Sequence, residues 1–74
     1  MSEHLPTVSG KEFIRLLLKR GWREIRQRGS HIIVQKDGEH RALSIPNHRE
    51  ISAGTLRSLL KQAGISLEEF RNWL

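Results

Sequence analysis

The sequence predicts a small α+β domain with the element order α-β-β-β-α and a short helix after it. Helical apolar spacing near both ends, a β-branched segment too short for a helix and an Asp-Gly hairpin signal between two apolar runs support this order. A chain of 74 residues is long enough for one hydrophobic core and too short for two. We therefore expect one domain over residues 1–74, with residues 1–8 as a flexible leader.

The first helix is predicted to begin after Ser9. Ser9 and Glu12 have the spacing of a capping box, in which two side chains satisfy amide groups at the start of a helix. Apolar residues then cluster on one face over about ten residues, and Gly21 suits a left-handed helix end.

Three strands are predicted after this helix, over residues 22–28, 31–35 and 40–45. The turns between them are Gly29-Ser30 and Asp37-Gly38, and Pro46 ends the third strand. If Asp37-Gly38 is a two-residue turn, paired position numbers add to 75. The buried face then carries Ile32, Val34, Leu43 and Ile45.

Two further helices are predicted from cap patterns. Ser52 can cap a helix that ends at Gly64 and has buried positions Leu56, Leu59, Leu60 and Ala63. Ser66 and Glu69 repeat the capping-box spacing, and Leu67, Phe70 and Leu74 are expected along one side of a short third helix. Packing of both main helices on one face leaves the other sheet face free.

The charge pattern favours a polyanionic partner. The formal net charge is +5, and residues 11–28 carry seven basic against two acidic side chains. Such a balance suits nucleic acid or a lipid surface. No apolar run reaches the ~20 residues that span a bilayer, and no signal peptide is recognisable, so we expect a cytoplasmic protein without a membrane partner. The lack of Cys excludes disulfides and thiolate zinc sites.

His31 is the candidate for chemistry. It follows the Gly29-Ser30 turn and is predicted to point away from the core, where an imidazole can accept a proton near neutral pH. A general base for RNA cleavage needs such a position. An exposed polar side chain without catalytic role is the alternative. The other histidines, His4, His40 and His48, form no close ligand pair, so no metal or other cofactor is expected.

Basic side chains are candidates for phosphate binding. Arg26 and Arg28 are predicted beside His31, and Arg57 and Lys61 lie on the second long helix. A solvated basic surface explains each of them equally well. Trp22, after a helix-ending Gly, fits the edge of the core better than a base-stacking platform.

Several motifs occur in a fixed order. These are Gly21-Trp22, Gly29-Ser30-His31, Pro46-Asn47-His48 and the segment 54–64 that runs from Gly-Thr-Leu-Arg to Lys-Gln-Ala-Gly. In order and spacing, they resemble the HicA toxins, or YcfA-like family, from Ser9 to Phe70. The resemblance implies a double-stranded-RNA-binding-domain-like fold, cleavage of messenger RNA and neutralisation by a HicB antitoxin, as in type II toxin-antitoxin systems.

The resemblance also assigns residues. The essential histidine of the family corresponds to His31, and Ser30 helps to set the turn that presents it. His48 matches a Pro-x-His motif, where it protonates the leaving 5′-oxygen or braces the loop. Many relatives have a second histidine at the position of Ile32, and their hairpin turn near Asp37 is one residue longer.

Three functions remain open at this point. The leading hypothesis is a metal-independent endoribonuclease, an mRNA interferase toxin. The alternative is a non-catalytic RNA-binding module on the same fold. The third is a regulatory subunit whose basic surface docks an acidic partner. A DNA-reading helix-turn-helix is disfavoured, because β-branched residues occupy the place of its recognition helix.

Overall fold

The structure is a computed structural model that describes residues 5–74. Its elements are α1 (Gly10–Leu18), β1 (Trp22–Arg28), β2 (His31–Lys36), β3 (Ala42–Pro46), α2 (Ala53–Ala63) and α3 (Leu67–Asn72). The strands form one antiparallel sheet in the order β1-β2-β3. The predicted α-β-β-β-α order with a short third helix is therefore confirmed. The sheet face turned away from the helices is called the open face below.

The capping box at the start of α1 is present. The Glu12 N–H donates to Ser9 Oγ at 3.0 Å, and the Ser9 N–H donates to Glu12 Oε1 at 2.9 Å. The backbone hydrogen bond from Ser9 lowers the pKa of the Glu12 carboxyl, because it stabilises the charged form. After the helix, Gly21 adopts a φ of +88° and turns the chain into β1.

The predicted pairing of β2 with β3 was wrong by two residues. Ile32 lies opposite Ile45 and Val34 opposite Leu43, so paired numbers add to 77. The third strand starts at Ala42 instead of residue 40. Side chains alternate with a period of two, so a two-residue shift keeps every side chain on its predicted face. All four residues are buried.

Asp37 explains the longer connection. Its backbone N–H donates to Gly21 O at 2.7 Å, and its carboxylate lies 3.3 Å from Arg23 Nε. Asp37 therefore extends the pairing of β2 with β1. On the β3 side, the connection is closed by a backbone hydrogen bond in which the Lys36 N–H donates to the Arg41 carbonyl at 2.9 Å.

A β-bulge in β1 allows Trp22 to be buried while Arg26 and Arg28 lie on the open face. Glu24 pairs with Val34, but Arg26 pairs with Ile33, so Ile25 is an extra residue. Strict alternation from the buried Trp22 would turn Arg26 and the other even positions toward the helices. The extra residue reverses this alternation, so Arg26 and Arg28 lie on the open face beside His31, where the Gly29-Ser30 turn predicted them.

The core joins the sheet to the helices, and it starts earlier in the chain than expected. Val8, inside the predicted leader, is 3% exposed, and its carbonyl accepts the Ile51 N–H at 2.9 Å. Residues 1–4 of that leader lie outside the described residues. Trp22 is buried, in agreement with the core interpretation. Leu74, expected to line α3, follows the helix and is exposed.

Candidate functional site

His31 is the first residue of β2, the central strand. Its cross-strand neighbours are Arg28 in β1 and Pro46 in β3, and the residue is exposed on the open face. The two-residue turn before it is present: Gly29 has a φ of +58°, and Gln27 Nε2 donates to the Gly29 carbonyl at 3.2 Å. The turn therefore presents His31 from a paired strand instead of a mobile loop.

The loop after β3 is joined to the same end of the sheet. The Asn47 N–H donates to the Ser30 carbonyl at 2.7 Å, and the His48 carbonyl accepts the Gly10 N–H at 2.9 Å. His48 is exposed. These two backbone hydrogen bonds place Ser30, His31 and His48 at one end of the molecule.

Gly10 allows the helix to approach this loop. A Cβ atom on Gly10 would overlap the Pro46 carbonyl oxygen and would lie 3.1 Å from the Asn47 Cα. Both neighbours are backbone atoms and cannot rotate away. Only glycine fits at this position, because the backbone of α1 is in direct contact with the loop that carries His48.

Replacing Gly10 with Ala is expected to lower the free energy of unfolding by about 1–3 kcal/mol, since the chain must shift to remove the overlap. Gly54→Ala is the matched control: Gly54 also lies in the first turn of a helix, and a Cβ added there would meet no neighbouring atom within 4 Å. Urea unfolding checks both variants. A Gly10→Ala protein as stable as Gly54→Ala would contradict the contact.

The predicted basic residues fall into two groups. Arg26 and Arg28 share the open face with His31. Arg57 and Lys61 lie on the exposed side of α2, which packs against the other sheet face through its buried leucines. They border a groove with Leu60. Of these four predicted residues, Arg26 and Arg28 lie close to His31, and Arg57 and Lys61 do not.

The side chains of His31 and its basic neighbours form no hydrogen bonds or ion pairs with other side chains or the backbone of residues 5–74. This is true of His31, His48, Arg26 and Arg28. They can therefore bind a ligand without first breaking an internal contact. Two guanidinium groups beside an imidazole suit a phosphate-containing ligand.

Side chains that can ligate a metal do not cluster among the described residues. The described residues contain no group of three or more His, Asp or Glu side chains that could hold an ion. His40 lies in the loop between β2 and β3, away from His31, and His4 lies outside the described residues.

No helix among residues 5–74 is long and apolar enough to cross a bilayer.

Sequence reasoning missed one part of the surface. Beside His48, the structure forms a shallow pocket lined by Ser9, Lys11, Asn47, His48 and Arg49. The capping box located Lys11 at a helix start, but no local pattern indicated that this helix start meets the loop after β3. A glycine at the start of the helix, Gly10, is the sequence feature that could have suggested such a close approach.

These features define a class: a small basic α+β domain with an exposed histidine and arginines on an open antiparallel sheet. A family model described as HicA toxin of bacterial toxin-antitoxin matches residues 10–65, more than half of the chain. The chain belongs to this family of toxins. Comparisons with curated proteins and with solved structures returned no significant match.

Proposed function

We propose that this toxin is a metal-independent endoribonuclease that cuts messenger RNA, with His31 as the general base. The supporting observation is the position of His31, exposed on the central strand with Arg28 directly opposite and the His48 loop at the same end. RNA cleavage through the 2′-hydroxyl uses a base, a proton donor for the leaving oxygen and a cation for the phosphate, and two imidazoles and an arginine can supply them.

In this reaction, His31 takes the proton from a ribose 2′-hydroxyl. The O2′ atom attacks the adjacent phosphorus, the bond from phosphorus to the 5′-oxygen breaks, and a 2′,3′-cyclic phosphate forms. The leaving 5′-oxygen needs a proton and becomes a 5′-hydroxyl. The proton taken from the 2′-hydroxyl is balanced by the proton given to the 5′-oxygen, so this step needs no cofactor. Later hydrolysis of the cyclic phosphate by water gives a 3′-phosphate.

Two further roles follow from the arrangement. His48, in protonated form, is our candidate for the proton donor to the leaving oxygen, and the Asn47–Ser30 hydrogen bond keeps its loop beside the base. Arg28 and Arg26 are our candidates for binding the phosphate whose charge grows in the transition state. Ser30 contributes through its carbonyl, which accepts the Asn47 N–H and joins the turn to the His48 loop.

A toxin of a toxin-antitoxin system has an antitoxin partner. We propose a HicB-like protein that covers the open face, since blocking His31 and its arginines would stop RNA from entering. The complementary surface of such a partner would be acidic, because Arg26 and Arg28 lie together there. The substrate places this activity in the cytoplasm, where mRNA is translated.

The test is cleavage of a single-stranded RNA by the purified protein in excess EDTA. We expect cleavage to persist and the products to carry 2′,3′-cyclic phosphate or 3′-phosphate ends and 5′-hydroxyl ends. Products with 5′-phosphate ends, or activity that disappears with EDTA and returns with Mg²⁺, would contradict the mechanism. Salt-sensitive RNA binding without cleavage would favour the RNA-binding module instead.

A further inference from the structure

The pocket beside His48 has its own charge pattern. Lys11 and Arg49 line it, and the described residues of its lining include no carboxylate. Neither side chain forms an ion pair within residues 5–74. The nearby Glu12 carboxylate accepts the Ser9 N–H in the capping box. The pocket is therefore a concave cationic surface, and we refer to it as the basic pocket.

The basic pocket starts one residue from the neighbours of His31. Pro46 lies opposite His31 in the sheet, and the next residue, Asn47, both lines the pocket and donates its N–H to Ser30. Directly opposite residues in an antiparallel pair have Cα atoms about 4.5–5.5 Å apart. The pocket therefore lies next to His31 along the chain that pairs with it, within reach of the neighbouring phosphate of a strand bound there.

From this arrangement we infer that Lys11 and Arg49 bind the RNA backbone phosphate next to the one that is cut. The inference rests on the proposed ribonuclease function, and it adds a substrate-binding site formed by the start of α1 and the loop after β3. The contact is to a phosphate and not to a base edge, so it positions RNA of any sequence.

Two other basic surfaces suit this role less well. Near the other end of the sheet, three basic side chains already donate to backbone carbonyls at the C-terminal ends of α1 and α2. Arg20 donates to Leu16 and Lys36 to Arg20, both at 2.9 Å, and Arg41 donates to Ala63 at 2.8 Å. The groove at Arg57 and Lys61 is bordered by four apolar side chains, Leu5, Leu60, Ile65 and Leu67. Among these three described surfaces, the basic pocket is the one whose basic side chains form no ion pair and which also lies beside His31.

The test measures binding of a fully 2′-O-methylated RNA, which keeps every phosphate but cannot be cleaved through a 2′-hydroxyl. Lys11→Ala and Arg49→Ala are each expected to weaken binding about threefold, and the double variant about tenfold. The slope of log affinity against log salt should fall by about 0.7 in the double variant, because one single-stranded phosphate contact is lost.

Matched controls separate a local contact from general charge. Lys19→Ala removes the same charge at the other end of α1, where Lys19 is also exposed, and should weaken binding much less. Arg49→Lys keeps the charge and should retain most of the affinity. Equal losses for Lys11→Ala and Lys19→Ala would overturn the inference. Unchanged RNA affinity with weakened antitoxin binding would also overturn it and assign the pocket to the protein partner.

Kinetics with cleavable RNA distinguish this inference from the proposed function. A wild-type protein that cleaves, together with pocket variants whose KM rises while kcat is retained, supports both. Normal cleavage and an unchanged KM in the variants would refute the phosphate site and leave the ribonuclease intact. If the wild type does not cleave at all, the ribonuclease proposal fails, and the binding experiment with methylated RNA still decides the role of the pocket.

Discussion

His31→Ala is expected to reduce the rate of RNA cleavage by about 10²–10⁴-fold, the usual contribution of a positioned general base. Binding of methylated RNA should change little, because the phosphate contacts of the arginines remain. The fold should also persist, since the His31 side chain is exposed and makes no hydrogen bond within residues 5–74. Single-turnover cleavage and urea unfolding measure these effects separately.

His40→Ala is the control for this substitution. His40 is also exposed, but it lies in the loop beyond the other end of β2, a strand that extends about 17 Å from His31 to Lys36. Its replacement should leave the cleavage rate unchanged. Full activity of His31→Ala would exclude His31 as the base, and an equal loss in both variants would point to a general effect of removing histidine.

Phe70→Ala is expected to cost about 3–5 kcal/mol of unfolding free energy. Phe70 is 0% exposed, and its ring packs edge-on against Phe13 at 5.5 Å and against Trp73 at 5.8 Å. Truncation to Ala leaves a cavity between α1 and α3 that rigid neighbours cannot fill. For a domain of this size, the loss is a large part of the total stability.

The phenylalanine also shows that α3 belongs to the folded domain, although the family model ends at residue 65. Leu74→Ala is the control, because Leu74 is 61% exposed and its loss should change stability by less than about 0.5 kcal/mol. Chemical denaturation of both variants gives the comparison. A Phe70→Ala protein with nearly wild-type stability would mean that α3 detaches in solution.

Local patterns were sufficient for the order of the elements and for most of the core. The capping box at Ser9, the turn at Gly29-Ser30 and the leucines of α2 each depend on a few neighbouring residues, and the structure contains all three. The buried face of β2 and β3 was also predicted correctly, because alternation needs no knowledge of the register. The resemblance to the HicA family was carried by such local motifs, and the family is confirmed.

Contacts between distant segments needed the tertiary structure. The register of β2 with β3 depends on Asp37 pairing back to Gly21, and the bulge at Ile25 allows β1 to bury Trp22 while Arg26 and Arg28 lie on the open face. Neither is encoded in a short pattern, because each depends on how one strand pairs with another segment of the chain. The catalytic role of His31 stays a prediction. Local patterns located the histidine and its turn, but its role as a base depends on how RNA binds.

By itself, the sequence determined the element order, the buried faces and the histidine that the turn presents, since spacing and turn chemistry act over a few residues. The turn pairing also predicted Arg26 and Arg28 beside that histidine. Only the tertiary structure decided where the other basic side chains lie: it left Arg57 and Lys61 on α2 and brought Lys11 to the His48 loop. The physical reason is packing: the buried Gly10 lets the start of α1 contact the loop after β3, and these two segments are far apart in the chain.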